Sequence, residues 1–536
     1  MSDMSEQDGG VLVVGGGLVG LAAAAFLAQQ GVEVTVVERR RETSRHPKAR
    51  LVNVRSMELY RALGIDDEIR AAGEPSAGFV VADNLSSAHE SWISAPEVAV
   101  SGEGLSPVAG YACDQQRIEP ILCKRATALG AKVLFDTEAT EIQHHTDGIT
   151  ARLRHPDCEQ AISARFLVAA DGAHSPIRTA LGIGLAGEAV PGTAVSALFH
   201  ADLEPALRGR WADALMARDA GAFLFARGNK ADRSWQLGTH LRADWPLDDP
   251  DGLAARLVPV IRAATGVPDL SPEIESVLTW TTGAFTAEHF RHGRVFLAGD
   301  AAHQMPPYGG FGGNTGVQDA HNLAWKLAAV CRGDAPDALL DTYHGERAPL
   351  VALTVAQALL RSRKTPGQPA PDEQIDATTL ALGFHYPPPG TTTPDKTATV
   401  EDPAAPSGQP GTRAAHIALA APAISTLDLL EPTAFTFVAS ATSRTALALE
   451  RHPVPGVRVR TVDTASIDTR HRQRWENVYS GPRCDGLLIR PDQVIAWRAP
   501  KNAANSEIDV PTAIQHAALV HSSVHPDSDR PSHSTA

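Results

Sequence analysis

The chain has 536 residues, 43% of them hydrophobic and 21% charged, with 48 Lys and Arg against 62 Asp and Glu for a formal net charge of −14. That length holds about two to four domains, and the composition is globular rather than disordered or fibrous. The acidic balance argues against general nucleic-acid or anionic-membrane binding, both of which need basic surface.

The first predicted element is a buried strand, Val11–Val14, short, apolar and β-branched. Gly15-Gly16-Gly17-Leu18-Val19-Gly20 follows, then an alanine-rich helix over Leu21–Gln30 with Gly31 as its stop, and a second strand, Val32–Val37, ending at Glu38. The uncharged run from Val11 to Ala28 approaches the length of a membrane span. Its three consecutive glycines and the acidic leader before it favour a strand, a turn and a helix instead. In a GxGxxG turn of this kind Gly15 permits the tight bend, Gly17 admits a pyrophosphate against the backbone, and Gly20 lets helix and strand pack closely. The helix N-terminus offers unpaired N–H groups to the phosphates, and Glu38 is spaced to accept from ribose hydroxyls. An acid at that position disfavours a 2′-phosphate. A second match, Gly182-Ile183-Gly184-Leu185-Ala186-Gly187, follows a helical-looking segment with no buried strand before it and reads as a turn.

Further along, a strand at Phe166–Ala170 delivers Asp171-Gly172, with Arg178 in the helix beyond. Residues 190–285 are rich in clustered or alternating β-formers, which predicts an antiparallel sheet inserted between cofactor motifs. Phe223, Phe225, Trp235 and Trp280 are its candidates to line a flat aromatic cavity, with ordinary core packing as the alternative for each. The strand Val295–Ala298 then leads to Gly299-Asp300 and a Pro/Gly-rich loop. A helix from about Thr315 carries an apolar face through Val317, Ala320, Ala324, Leu327, Ala328 and Cys331, with Asn314 or Thr315 as its cap. A helix near Asp341–Arg363 precedes Pro/Gly/Thr-rich linkers, and residues 411–500 form a compact α/β unit. The polar end of the chain is expected to be disordered. Five scattered cysteines without CxxC or CxxH spacing exclude a disulfide scaffold, and the histidines of the tail have no fixed spacing, so no metal site is expected. A reducing cytoplasm is the simpler compartment. No Ser/His/Asp or Cys/His pattern for acyl transfer is present.

The first glycine motif, "ADGAHSPIR" and "GDAAHQMPPYGGFGGNTGVQDAHNLAWKLA" together resemble the three cofactor motifs of class A flavoprotein monooxygenases, the single-component aromatic hydroxylases with the p-hydroxybenzoate hydroxylase fold. Within that group, "HPKARLVNVRSMELYRALGI", "DQQRIEPIL" and "GLLIRPDQVIAWR" are similar to the phenol and aromatic-polyketide hydroxylases that carry an extra thioredoxin-like domain. The resemblance implies FAD along Gly15, Gly17, Leu18, Val19, Gly20, Glu38, Arg39, Gln115, Asp171, Asp300, Pro307, Gly312, Gly313 and Asn314. Pro307 would face the flavin where oxygen reacts. Arg50, in the segment that covers the flavin, is a candidate contact to flavin or substrate, as is Arg55, with plain surface charge as the alternative. His303 reads as a satisfied loop histidine and Arg178 as a brace or a cofactor contact.

The layout so implied is α/β: a Rossmann-type FAD domain in two parts (8–185, including a substrate-domain segment near 75–110, and 289–400), an inserted antiparallel-sheet substrate domain (186–288), a thioredoxin-like domain (401–505) and a tail (506–536). The implied reaction is NAD(P)H-consuming hydroxylation of a polycyclic, polyketide-derived phenol by molecular oxygen through a flavin C4a-hydroperoxide. NAD(P)H has no Rossmann unit of its own, because FAD fills the single credible one. Baeyer–Villiger insertion and a non-oxygenating FAD-binding partner protein are the alternatives. The C-terminal unit, whose Cys484 stands alone, is assigned structure or oligomer contacts.

Overall fold

The computed structural model describes residues 10–44, 48–76, 78–93, 101–209, 212–227, 233–246, 249–363, 371–387, 400–420 and 423–501. The expected tail, and most of the two linkers, lie outside these residues. In chain order the first elements are β1 (Val11–Val14), α1 (Leu18–Gln29), β2 (Val34–Val37), α2 (Val54–Leu63), β3 (Phe79–Ala82), β4 (Glu90–Ile93), α3 (Gln115–Ala128), β5 (Lys132–Leu134) and β6 (Phe166–Ala169). Next come β7 (Leu185–His200), β8 (Ala214–Ala217), β9 (Ala222–Arg227), β10 (Ser234–His240), α4 (Pro250–Thr265), β11 (Glu273–Ala287), β12 (Arg291–His292), β13 (Val295–Leu297) and β14 (His303–Gln304). Then follow α5 (Phe311–Arg332), α6 (Asp341–Ser362), β15 (Phe435–Ser440), β16 (Val457–Val462), β17 (Gly486–Ile489) and β18 (Ile495–Ala499).

Three sheets organise the molecule. The first runs β12-β13-β6-β1-β2-β5, parallel from β13 to β5. Its strands are buried apolar runs because α1 and its neighbours cover it, as parallel sheets require. In register, Val14 lies beside Ala169 and Ala169 beside Leu297, so the chain leaves β1, β6 and β13 at one edge of the sheet. In open α/β sheets this carboxyl edge is where ligands bind.

The second sheet runs β14-β11-β7-β10-β9-β8-β3-β4, antiparallel except for the β8–β3 pair. Helix α4 closes one face: Leu253, Leu257 and Ile261 pack in a single core with Val195, Leu224 and Leu237. That helix interrupts a region expected to be sheet throughout. Its signals were present, with Asp249 capping the Gly252 amide, Pro250 opening the first turn and Gly266 closing it at φ +69. The third sheet, β16-β15-β17-β18, is the C-terminal unit, parallel between β15 and β16 and antiparallel elsewhere. The five cysteines are unpaired. Among the described residues no helix is long and apolar enough to cross a membrane.

Two helix starts differ from expectation, both because glycines hide a helix from periodicity and propensity. Helix α1 begins at Leu18, so Gly20 is helical. Helix α5 begins at Phe311, with neither Asn314 nor Thr315 as cap: Gly310 occupies that place in left-handed backbone at φ +65. The second GxGxxG match turns at Gly182 and then becomes strand from Leu185.

Candidate flavin site

The glycines after β1 divide their work. A Cβ on Gly15 would lie 2.2 Å from the Ala170 carbonyl oxygen, and one on Gly20 would lie 1.8 Å from that of Gly15. Both positions are closed by backbone. Gly17 meets nothing nearer than the Glu119 Oε1 at 3.7 Å, which leaves its backbone open to a ligand. Glu38, 4% exposed, accepts from the Gly16 amide at 2.7 Å and from Arg40, through its amide at 2.9 Å and Nε at 3.0 Å. Arg40 thus partners the acid, and the neighbouring Arg39 is exposed. Val19 packs against the positions of Gly299 and Gly316, locking α1 to the third turn.

The Asp171 carboxylate accepts from Ser175 Oγ at 2.6 Å and the Ile177 amide at 3.2 Å, so it shapes its own turn. Burial raises its pKa, while Ser175 opposes the shift. Arg178 donates to the carbonyls of Ala301 at 2.9 Å and Ala173 at 3.1 Å, bracing the second turn against the third. Asp300 is exposed to solvent yet sits deep enough among protein that desolvation raises its pKa, with His303 and Lys48 opposing. An exposed carboxylate inside an open cleft is what a ligand-lined turn requires.

Behind that turn Asp319 is fully buried. It accepts from His303 Nε2 at 2.7 Å, Arg347 Nε at 2.8 Å and the Gly299 amide at 3.2 Å. Burial alone would raise its pKa, but Arg347 and His303 override this and hold the carboxyl below its usual range. Nothing local in the sequence marks Asp319 or Arg347, though both lie on predicted helices. His303 is bonded through Nε2 only; its buried Nδ1 has no partner among the described residues.

The N-terminal turn of α5 completes the cleft. Asn314 accepts from the Asn53 amide at 3.0 Å and donates to the carbonyls of Leu51 at 2.9 Å and Gly310 at 2.7 Å. This ties the segment before α2 to the helix whose first amides and partial positive charge face outward. Gly312 and Gly313 lie in that turn, and Pro307 is exposed on the loop before it. Leu18, Arg50, Gln115, Gly313 and Asn314 line one small cavity. Gln115 donates to Glu119 Oε1 at 2.7 Å and accepts from the Ala49 amide at 3.3 Å.

The second sheet faces this cleft. Strand alternation sends Phe223, Phe225 and Arg227 to one side of β9 and Leu224 to the α4 side. Phe223 meets Tyr308 edge to face with ring centroids 5.7 Å apart. Asp114, also missed from sequence, joins the two walls: its carboxylate accepts from Arg50 Nη1 at 3.1 Å and Arg227 Nη1 at 2.7 Å. Burial lowers the Arg227 pKa and Asp114 opposes that shift. Two of the four aromatic candidates are not with the others. Trp235, 5% exposed, lies on the α4 face and donates to the Ala201 carbonyl, while Trp280 lies on the cleft face but is 39% exposed. Arg55 points away from the cleft, to Glu58, Gln493 and the Asp492 carbonyl.

Glycine-lined turns at the carboxyl edge of a parallel sheet, opposed by an aromatic-faced second sheet, define a dinucleotide-binding α/β protein. Residues 8–358 match the FAD binding domain family, and residues 407–518 match the aromatic-ring hydroxylase C-terminal family. The chain is 36% identical to 4-methyl-5-nitrocatechol 5-monooxygenase of Burkholderia sp, across 94% of this chain and 96% of that one. It is 35% identical to aklavinone 12-hydroxylase of Streptomyces purpurascens, across 94% and 97%. The crystal structure of aklavinone-11 hydroxylase with FAD and aklavinone superposes with a TM-score of 0.83 at 32% identity, covering 96% of this chain and 100% of that one. The chain belongs to the FAD-dependent aromatic-ring hydroxylases. Its C-terminal unit matches their C-terminal domain family, and the cradle formed by Gly17, Glu38 and the α5 N-terminus fits FAD.

Proposed function

We propose that this protein hydroxylates a polycyclic aromatic phenol, consuming NAD(P)H and molecular oxygen. The observation that carries the reading is the Phe223–Phe225 pair, stacked with centroids 6.1 Å apart and turned toward Tyr308 on the loop that follows Pro307. When bound, FAD would supply the redox chemistry, two-electron transfer from NAD(P)H and activation of dioxygen, with one oxygen atom going to the ring and the other to water.

The chain's own residues bind and orient. Glu38 and the open backbone at Gly17 hold the adenosine and pyrophosphate side, Gln115 and Asp300 lie along the cofactor, and Gly312, Gly313 and Asn314 contact the isoalloxazine. The α5 N-terminus stabilises negative charge on the reduced ring. Arg50 and Arg227, both held by Asp114, set two guanidinium groups beside the aromatic wall, suited to a substrate hydroxyl that ionises. Tyr308, its pKa raised by burial, stays protonated and helps keep water from the reacting face.

The test is NAD(P)H consumption screened across polycyclic phenols, with product mass measured under labelled oxygen. One labelled oxygen appearing as a ring hydroxyl is expected. An inserted ester oxygen would replace this reading with Baeyer–Villiger chemistry, and absence of consumption with every aromatic would leave a non-oxygenating flavoprotein.

A further inference from the structure

Glycine inside a strand weakens it and marks either a crowded backbone or a close-approaching ligand. The strands of the second sheet contain four glycines. Gly187 and Gly192 have left-handed backbone, at φ +137 and +100, and a Cβ on Gly283 would lie 2.3 Å from the Phe285 ring. These three are demanded by the fold. Gly238, in β10, is not: its φ is outside the left-handed region, and a Cβ there would meet only Phe225 Cε2 at 3.7 Å, ordinary van der Waals contact.

The register shows what the missing side chain leaves bare. Gly238 sits between Phe223 on β9 and Ser196 on β7, and Ser196 pairs in turn with Leu278 on β11. Residues directly opposite one another present side chains on the same face, so Phe223, Gly238, Ser196 and Leu278 form one row across the cleft face. Three strand spacings make that row about 14 Å long. It starts beside Tyr308 and ends at Leu278, which is 41% exposed with Trp280 next to it on the same face at 39%. Large apolar side chains at one end and an aromatic ring at the other bound a row whose middle holds only Gly238, beside the Phe225 ring, and the buried Ser196, whose Oγ accepts from Gln236 Nε2; this is a low floor for a planar guest longer than one ring.

We infer that Gly238 is a specificity-determining residue, the point where the substrate's fused ring plane lies against the sheet, with Leu278 and Trp280 covering its distal end. This rests on the polycyclic-phenol reading and adds the element that selects for ring number. A side chain at position 238 raises the floor under a fused system but leaves room for a single ring held at Phe223.

The experiment compares wild type with Gly238→Val, which suits a strand and encounters no backbone, and with the exposed Leu278→Ser. Dissociation constants are read from perturbation of the bound-flavin spectrum by a tetracyclic hydroxyquinone and by phenol, alongside FAD affinity. Gly238→Val is expected to weaken the tetracycle at least tenfold while changing phenol and FAD less than twofold; Leu278→Ser weakens the tetracycle a few-fold and leaves phenol unchanged. Tetracycle binding in Gly238→Val equal to wild type, or equal losses for both aromatics, overturns the assignment. Wild type that binds phenol and no fused-ring phenol overturns the polycyclic reading and this floor with it.

Discussion

Replacing Glu38 by alanine is a direct perturbation of the first turn. The carboxylate is buried, and its loss strands the Gly16 amide, which it accepts at 2.7 Å, together with the Arg40 amide at 2.9 Å. The Gly16 amide belongs to the turn that approaches the pyrophosphate, so the damage reaches the ligand twice, through the ribose acceptor and through the backbone it orients. Leaving one such buried donor without a partner costs about 1–3 kcal/mol. At about 1.4 kcal/mol per tenfold, FAD affinity is expected to fall roughly 5- to 150-fold. Titrating apoprotein with FAD and following quenching of flavin fluorescence reads this directly. Glu38→Gln keeps an acceptor for Gly16 while giving up the charge facing Arg40, so its loss is expected to be smaller. If Glu38→Ala bound FAD within twofold of wild type, or Gln were worse than Ala, the ribose assignment and the turn argument would both fail.

Three other perturbations read the scaffold behind the site. Asp319→Asn leaves the buried Arg347 guanidinium without its countercharge and is expected to cost about 3–5 kcal/mol in chemical denaturation; a loss under 1 kcal/mol would show that the cluster is not electrostatically held. Gln493 has φ +66 and accepts from Arg55 Nη1 at 2.5 Å, so Gly there relieves backbone strain of roughly 1 kcal/mol while Ala does not, and both lose the bond. Gln493→Ala should therefore be the less stable of the two, and the reverse order in denaturant midpoints would refute the strain. His416, bonded through Nδ1 to Ser425 Oγ at 2.7 Å, has its pKa lowered to about 4 by burial and by neighbouring His471. Because the unfolded chain binds more protons between pH 4 and 6.5, that stability is whole above 6.5 and is lost as pH falls through the window, on the order of 2 kcal/mol. A Tm that stays flat from pH 6.5 to 4.5, or a His416→Gln variant with the same slope as wild type, would contradict this.

The parts of the site legible in the sequence are those whose chemistry is local. Val11–Val14, the glycine turn and Glu38 are contiguous, and their spacing alone reports a strand, a close approach and a ribose acceptor. The buried ion pairs were invisible for the opposite reason: Arg227 and Asp114 are 113 residues apart, and Arg347 and Asp319 are 28 apart on two different helices. A charged residue in a sequence carries no mark of being buried until its partner is known. Register was the other missing piece. Alternation says that Phe223 and Phe225 share a face, but whether Trp235 joins them depends on how β10 pairs with β9, which no pattern within either strand specifies. The same register that removes Trp235 from the cleft puts Gly238 into it. A residue with no side chain to be noticed thus becomes, by its place in the row from Phe223 to Leu278, the one most able to choose between guests.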